Sequence, residues 1–264
     1  MENVLIVAHR GASYAAPENT IPSFELAFNE NADFVEADFW LTKDNEIVCI
    51  HDSNTKRVTK EKIRLNVRTS TLSELKKLDV GSWKGNEFKG TKIPTLQEVL
   101  SIIPEGKGIY LEIKDDRMIF MQKLAEMLQP NSIASKNIFY DREVRIIAFN
   151  PNTVQLAKKY FPKIKVYWLF NWYFLRKKCL TSLAQRRLIQ TLQTLNCNGV
   201  DLRLAPYIDN KLVKLLSETK LDFCVYDVEK TEDALRLVNL GVDSITTNFP
   251  LKIREGIKSI VGEK

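Results

Sequence analysis

The two histidines of this 264-residue chain each follow a short apolar run, 4–8 before His9 and 47–50 before His51. Imidazole, with an ordinary pKa of roughly 6.5, can give or take a proton near neutral pH. Two imidazoles at the ends of strands would therefore suit an acid and a base that act on one substrate. The pair predicts proton-transfer chemistry.

Three carboxylates lie in similar strand-like runs. Glu36 and Asp38 are two residues apart within 34–40, and Glu112 precedes Lys114 by two residues. Residues two apart on a strand face the same side, and an unpaired carboxylate is costly to bury. An all-oxygen ligand set favours Mg²⁺ or Ca²⁺ over Zn²⁺. We therefore expect a divalent cation here, the alternative being a solvated strand face.

Short apolar runs alternate with amphipathic stretches along the chain, which predicts a parallel sheet with crossover helices. The predicted strands are 4–8, 34–40, 47–50, 108–113, 138–149, 165–170, 199–204, 221–228 and 243–247, and the predicted helices are 21–31, 96–103, 118–129, 153–161, 181–195, 210–219 and 231–240. If the second and third strands form one hairpin, eight βα units match an α/β TIM (β/α)8 barrel, whose active sites lie at the C-terminal strand ends. Periodicity alone leaves a doubly wound open sheet as the alternative.

Residues 52–94 interrupt this alternation with polar, lysine-rich sequence that contains the turn-prone Gly81, Gly85 and Gly90. We expect one domain over residues 1–264, with 52–94 as a small insertion after the second strand. A chain of this length can bury a substantial core without disulfides.

Apolar runs and cysteine spacing predict the compartment. No run approaches the roughly 18 apolar residues that span a bilayer, and the apolar stretch 4–8 is too short for a secretory signal. The four cysteines show no C-x-x-C spacing, which favours a reducing environment. We expect a cytoplasmic protein.

Positive charge is concentrated in one segment, although the net charge is only +6. Residues 144–200 contain ten Lys or Arg and no Asp or Glu, and within them the aromatic run 172–175 leads directly into three cations at 176–178. One hypothesis is that 172–178 contacts anionic membranes peripherally. The alternatives are a hydrophobic lid and ordinary solvated lysines. The segment lacks a nucleic-acid recognition module, so we expect no nucleic-acid partner.

Five motifs occur in an order that resembles the glycerophosphodiester phosphodiesterases. They are His9-Arg10-Gly11, Pro17-Glu18-Asn19-Thr20, Glu36-x-Asp38, His51-Asp52 and Glu112-Ile113-Lys114. Similar blocks at 72–78, 93–100, 149–151 and 241–250 extend the resemblance nearly from end to end.

The resemblance implies a metal-dependent TIM-barrel enzyme that releases glycerol 3-phosphate and an alcohol from glycerophosphodiesters through a cyclic phosphate. One Mg²⁺ or Ca²⁺ would be held by the three carboxylates. The other implied roles are proton transfer by His9 as base and His51 as acid, phosphate binding by Arg10 and Lys114, and orientation of these groups by Glu18, Asn19 and Asp52. Asn19 has a structural alternative, which is to cap the helix that begins at Ile21.

Two departures from the family pattern concern substrate specificity. Tyr226-Asp227-Val228-Glu229 stands where the family usually has Trp-Thr-Val-Asn, and Thr247-Asn248 replaces a usual Thr-Asp. The added Asp227 carboxylate would alter head-group selection or add a metal contact.

Two other functions remain open. A lysophospholipase D would use the same chemistry on single-chain lipids, and a non-enzymatic barrel would only bind phosphate. The complete set of two histidines and three carboxylates argues against the second.

Overall fold

Eight parallel strands close into a barrel in the computed structural model, which describes residues 4–60, 62–128, 143–171 and 182–261. The strands are β1 (Leu5–His9), β2 (Phe34–Leu41), β3 (Ile47–Cys49), β4 (Gly108–Ile113), β5 (Glu143–Ala148), β6 (Lys165–Phe170), β7 (Gly199–Arg203), β8 (Asp222–Tyr226) and β9 (Ser244–Thr247). Closure comes from β1, which pairs with both β2 and β9. Strand β3 lies antiparallel to β2, as the predicted hairpin requires. The TIM-barrel prediction is confirmed, and the open-sheet alternative is wrong.

Helices alternate with the barrel strands. They are α1 (Ile21–Asn29), α2 (Leu72–Lys76), α3 (Leu96–Ser101), α4 (Met118–Leu128), α5 (Pro151–Tyr160), α6 (Ser182–Leu195), α7 (Asn210–Ser217), α8 (Thr231–Leu240) and α9 (Pro250–Val261). Helices α2 and α3 begin with reciprocal capping boxes, Thr71 with Glu74 and Thr95 with Glu98. These caps satisfy backbone N–H groups that have no partner inside the helix.

Several element bounds differ from the prediction. Helix α5 begins two residues earlier than expected, because the Asn150 side chain accepts from the backbone N–H of Asn152 and Pro151 suits the first helical turn. Helices α2 and α9 were not predicted. Thr20 occupies the N-cap position of α1, but its hydroxyl donates to the Pro17 carbonyl and makes no capping bond.

Side chains that alternate along the strands fill the barrel interior, and its floor is aromatic. The buried Arg145 guanidinium lies 4.6 Å from the Phe34 ring, and its Nη1 donates to the Tyr110 hydroxyl at 2.8 Å. The Tyr167 hydroxyl donates to Asp222 Oδ2 at 2.7 Å. Packed and hydrogen-bonded side chains thus fill the barrel interior at the N-terminal ends of the strands.

Residues 52–94 pack on the β2–β3 hairpin. Val58, Val67 and Leu75 join Val48 and Ile50 in a small apolar cluster. We propose that this segment is an insertion in a single domain, since its apolar side chains are buried against the hairpin.

None of the helices described has the length and apolar character needed to cross a membrane. The cysteines within the described ranges, Cys49, Cys197 and Cys224, are buried and form no disulfide. The proposed membrane-contacting segment 172–178 lies outside the described residues.

Candidate active site

The predicted chemical groups meet at one end of the barrel. In the strand register, His9 lies beside Glu36, and Asp38 lies beside Glu112. The backbone just after β3 donates to the Asp38 carbonyl, so the hairpin returns His51 to the level of Asp38. This is the C-terminal end of the barrel strands, where TIM-barrel active sites lie.

Glu36, Asp38 and Glu112 form a buried cluster in which one oxygen from each carboxylate lies within 4.8 Å of the others. Lys114 Nζ lies 2.6 Å from Glu112 Oε1 and 3.0 Å from Asp38 Oδ1. Arg10 Nε lies 3.3 Å from Asp38 Oδ2, and the Arg10 backbone N–H donates to Glu36 Oε2 at 3.0 Å. In the part of the chain that the structure describes, no other group of three acidic, Cys or His side chains is close enough to share an ion.

Burial and mutual repulsion disturb the titration of these carboxyl groups. Burial, together with the Asp38 and Glu112 charges, raises the pKa of Glu36 well above its ordinary range. Burial, followed by the Asp38 charge, raises the pKa of Glu112 to about 8. Burial also opposes the charge on Asp38, but Lys114 and Arg10 outweigh it and hold the Asp38 pKa below its usual range. Without a further cation, Glu112 therefore keeps its proton at neutral pH, and the raised pKa of Glu36 favours its neutral form.

The donor set fits a divalent cation. When ionised, the three carboxylates outnumber the two nearby cations, Arg10 and Lys114. Glu36 Oε1 is buried and makes no hydrogen bond to any described residue. A cation would compensate the excess charge and supply the missing partner, and oxygen ligands of this kind suit Mg²⁺ or Ca²⁺.

A chain of polar side chains holds one nitrogen of His9. His9 Nδ1 lies 2.9 Å from Asn248 Oδ1, and Asn248 Nδ2 donates to Glu229 Oε1 at 2.8 Å. An ionised carboxylate can only accept, so the amide nitrogen faces Glu229 and the amide oxygen faces His9. Neutral His9 then carries its hydrogen on Nδ1 and a lone pair on Nε2, which lies 3.9 Å from Glu36 Oε2. Burial, followed by the Arg10 charge, lowers the His9 pKa and favours this neutral form.

Arg57 connects the surroundings of His51 with those of Arg10. Its Nε donates to Asp52 Oδ2 at 2.8 Å, and Asp52 Oδ1 lies 2.7 Å from His51 Nδ1. Its Nη2 donates to Glu18 Oε1 at 2.9 Å, the same oxygen that accepts from Arg10 Nη1 at 3.0 Å. Arg57 was not among the predicted site residues, although it lies only five residues after Asp52.

Asn19 binds the carboxylate cluster rather than capping α1. Its Nδ2 donates to Asp38 Oδ2 at 2.7 Å, and its Oδ1 accepts from the Asp38 backbone N–H at 3.1 Å. The loop that carries it is tightly turned, with φ of 55° at Arg10, 82° at Gly11 and 56° at Asn19. A Cβ at Gly11 would overlap Ser23, so only glycine fits there.

One cavity of about 260 Å³ joins these groups to a second polar wall. Its first side includes His9, Arg10, Glu36, His51, Glu112 and Lys114, and its second side includes Asp201, Arg203, Tyr226, Asp227 and Thr246. Asp227 Oδ2 pairs with Arg203 Nε at 2.8 Å and is not part of the described carboxylate cluster. Asp201, Arg203 and Thr246 were not predicted as site residues, although Asp201 and Arg203 are two apart on one strand.

This barrel and its cavity define a TIM-barrel phosphodiesterase. The sequence profile of the Glycerophosphoryl diester phosphodiesterase family matches residues 9–252. The chain therefore belongs to that family, a family of phosphoric diester hydrolases, and the predicted resemblance is confirmed.

Relatives match over nearly the whole chain. The chain is 31% identical to a glycerophosphodiester phosphodiesterase of Caldanaerobacter subterraneus, over 93% of this chain and 94% of that protein. It is 30% identical to a glycerophosphodiester phosphodiesterase of Bacillus subtilis, over 94% and 85% of the two chains. Among solved structures, an Oleispira antarctica phosphodiesterase in complex with the product sn-glycerol-3-phosphate matches with a TM-score of 0.81 and 28% identity, over 96% of each chain.

Proposed function

We propose that this chain hydrolyses glycerophosphodiesters to glycerol 3-phosphate and an alcohol. The observation that carries this proposal is the meeting of three carboxylates, two imidazoles and two cations around one cavity at the barrel mouth. The similar Oleispira antarctica phosphodiesterase, which holds sn-glycerol-3-phosphate as its product, supports the same substrate class.

The first task of the site is to neutralise the phosphodiester anion, which repels nucleophiles. Arg10 presents a planar fork to phosphate oxygens, and Lys114 adds a compact charge. Glu36, Asp38 and Glu112 would hold one Mg²⁺ or Ca²⁺, which supplies Lewis-acid charge neutralisation at the phosphate when bound.

The second task is proton transfer. His9 takes the proton of the substrate's 2-hydroxyl through Nε2 as that oxygen attacks phosphorus, and His51 protonates the leaving alcohol. Asp52 favours the imidazolium form of His51, whereas His9 faces the neutral Asn248 amide. The P–O bond to the alcohol breaks and a cyclic phosphate forms. Water then opens the ring with the two roles reversed.

Glu18, Asn19 and Asp52 orient these groups. Glu18 accepts from Arg10, Asn19 fixes Asp38 from two directions, and Asp52 holds His51 Nδ1. Such partners limit the rotation of the acting side chains, which is how an active site reaches a productive geometry before reaction.

A substrate panel tests the proposal. Glycerophosphocholine, its 2-deoxy analogue and lysophosphatidylcholine are each incubated with enzyme and Mg²⁺ or Ca²⁺, and glycerol 3-phosphate and free choline are measured separately. We expect turnover of glycerophosphocholine alone, because the 2-deoxy analogue lacks the internal nucleophile.

Each other outcome has a distinct meaning. Faster release of choline from the lysolipid indicates a lysophospholipase D, and normal turnover of the 2-deoxy analogue indicates direct attack by water. Binding without turnover indicates a phosphate-binding barrel. Full activity in chelator would refute metal dependence, for which Glu36→Gln, Asp38→Asn and Glu112→Gln are matched tests that keep shape and remove charge.

Membrane contact by residues 172–178 and a cytoplasmic location remain predictions. Co-sedimentation with anionic and neutral vesicles tests the first of these. We expect the wild type to bind anionic vesicles and a variant with Trp172→Ala and 176–178 changed to Gln to lose that binding.

A further inference from the structure

The second wall of the cavity carries polar atoms that lack partners. Asp201 Oδ1 on β7, the Tyr226 hydroxyl on β8 and Thr246 Oγ1 on β9 are buried, and none has a hydrogen-bond partner within the described ranges. All three residues line the cavity that holds the carboxylate cluster. Asp201 is 1% exposed and Thr246 is 2% exposed, so bulk water does not satisfy them.

The strand register brings these three side chains to one wall. Strands β7, β8 and β9 are neighbours in the barrel. Asp201 is paired with Cys224, two residues before Tyr226, and Val225 is paired with Ile245, one residue before Thr246. The three unpartnered groups thus come from consecutive strands.

Buried polar atoms without partners are costly, and nearly all in folded proteins are satisfied. Three of them around one cavity indicate that a molecule in the cavity supplies the missing hydrogen bonds. Neutral hydroxyl groups fit this wall, because a carboxyl, a phenol and an aliphatic hydroxyl together offer both donors and acceptors. An acyl chain would leave all three atoms unsatisfied.

A cationic head group fits this wall less well. The nearby Asp227 carboxylate is already paired with Arg203 at 2.8 Å, so it does not offer an open negative charge. Burial, followed by the Glu112 and Asp227 charges, raises the pKa of the Asp201 carboxyl well above its ordinary range and favours its neutral form. What remains for recognition is therefore a set of neutral hydrogen-bonding groups.

We infer that Asp201, Tyr226 and Thr246 form a subsite that binds hydroxyl groups of a polyol portion of the substrate. This inference rests on the proposed function and deepens it. The hydroxyls belong either to the glycerol that stays on the phosphate or to the leaving alcohol, and two measurements distinguish these sources.

The first measurement is calorimetric binding of glycerol 3-phosphate and of ethyl phosphate, which lacks hydroxyls, to the Mg²⁺-containing enzyme. The second is kcat/KM for glycerophosphoglycerol and for the ethyl ester of glycerol 3-phosphate. The variants are Asp201→Asn, Tyr226→Phe and Thr246→Val. Tyr167→Phe is the matched control, because its hydroxyl bonds to Asp222 on the barrel floor and does not line the cavity.

If the subsite binds the retained glycerol, each variant should lower the preference for glycerol 3-phosphate over ethyl phosphate by about tenfold, the usual effect of one or two lost hydrogen bonds. The kcat/KM values for both diesters should then fall together. If it binds the leaving alcohol, the variants should lose the preference for glycerophosphoglycerol over the ethyl ester without changing product binding.

The subsite is overturned if all three variants keep both preferences within about twofold, a free-energy change too small for a lost hydrogen bond. It is also overturned if Tyr167→Phe changes either preference as much as they do. A wild type that hydrolyses neither diester would instead contradict the proposed function. The subsite would still be tested by calorimetry, with the product-binding comparison for the retained glycerol and with binding of the two unhydrolysed diesters for the leaving alcohol.

Discussion

His9 and His51 differ in the group that holds their Nδ1 atom. His9 faces the neutral amide oxygen of Asn248 at 2.9 Å, whereas His51 faces the carboxylate of Asp52 at 2.7 Å. Burial lowers the His51 pKa, whereas the hydrogen bond to Asp52 raises it and so increases the fraction of His51 in the protonated form that a general acid needs. This difference between single side chains supports the proposed base and acid roles.

We expect His9→Ala and His51→Ala each to lower kcat by about 10²–10⁴, the usual effect of losing a general acid or base. Magnesium affinity should stay near the wild-type value, because neither ring belongs to the carboxylate cluster. Steady-state kinetics and calorimetric Mg²⁺ titration provide the two values. Activity within a few-fold of wild type for either variant would contradict its assignment.

The Glu112 carboxyl makes cation binding depend on pH. Its pKa is raised to about 8, so the metal-free protein holds this proton at neutral pH and loses it as the pH rises. A cation needs the ionised ligand. Apparent Mg²⁺ affinity should therefore increase from about pH 6 to about pH 8, with proton release on binding.

Titration in two buffers of different ionisation enthalpy measures this proton release. Glu112→Gln is the control, since it should weaken binding and reduce the number of protons released. Affinity that stays constant over this pH interval would show that Glu112 is not a ligand that must ionise.

At the scale of elements, the site depends on a link between the β1–α1 loop and the segment after β3. Arg57 makes this link through Glu18 on one side and Asp52 on the other. Glu18 in turn contacts Arg10, and Asp52 contacts His51. One side chain thus links Arg10 and His51, the groups proposed to bind phosphate and to donate a proton.

We expect Arg57→Ala to lower kcat by about tenfold to hundredfold, because a small misplacement of reacting groups has effects of this size. KM and Mg²⁺ affinity should change less. Arg57→Lys should be intermediate, since lysine keeps the charge but loses the planar fork. Arg64→Ala, an exposed charge in the same segment, is the matched control. Equal effects of the Arg57 and Arg64 variants on kcat would refute the positioning role.

At the scale of the whole molecule, stability and chemistry lie at opposite ends of the barrel. Arg145 contacts the Phe34, Tyr110 and Tyr167 rings at the floor, and Glu143 Oε1 accepts from its Nε at 2.7 Å. The carboxylate cluster occupies the mouth. In TIM barrels this end carries catalysis, while the other end carries stability.

Arg145→Met should reduce the free energy of unfolding by about 2–4 kcal/mol, because buried hydrogen-bonding partners such as the Tyr110 hydroxyl lose their donor. The kcat of the folded variant should match the wild type. Denaturant titration and kinetics at a temperature where both proteins are folded measure the two effects. Lys165→Met removes an exposed floor charge paired with Asp222 and should cost less than about 1 kcal/mol. A large loss of kcat for folded Arg145→Met would contradict this separation.

Local sequence patterns predicted the βα units of the barrel. They also predicted that His9, Glu36, Asp38 and Glu112 lie on or beside its strands. Strand periodicity assigns Glu36 and Asp38 to one face, and parallel strands bring their C-terminal ends to one edge. The same local signals missed α9 and misplaced the start of α5, because the capping bond of Asn150 is not part of an apolar repeat.

Only the tertiary structure decided whether the sheet closes and which distant groups meet. The pairing of β1 with β9 places Asn248 beside His9, 239 residues away. The pairing of β1 with the β2–β3 hairpin, together with the conformation of the adjoining loops, brings Glu18 to Arg57 across 39 residues. Barrel closure also assembles Asp201 and Thr246 into one wall of the cavity. Such partners depend on barrel register and loop conformation, and periodicity along the chain contains no information about either. Residue types and spacing therefore predicted which chemical groups to expect, while the closed barrel decided which side chains surround them and which line the cavity.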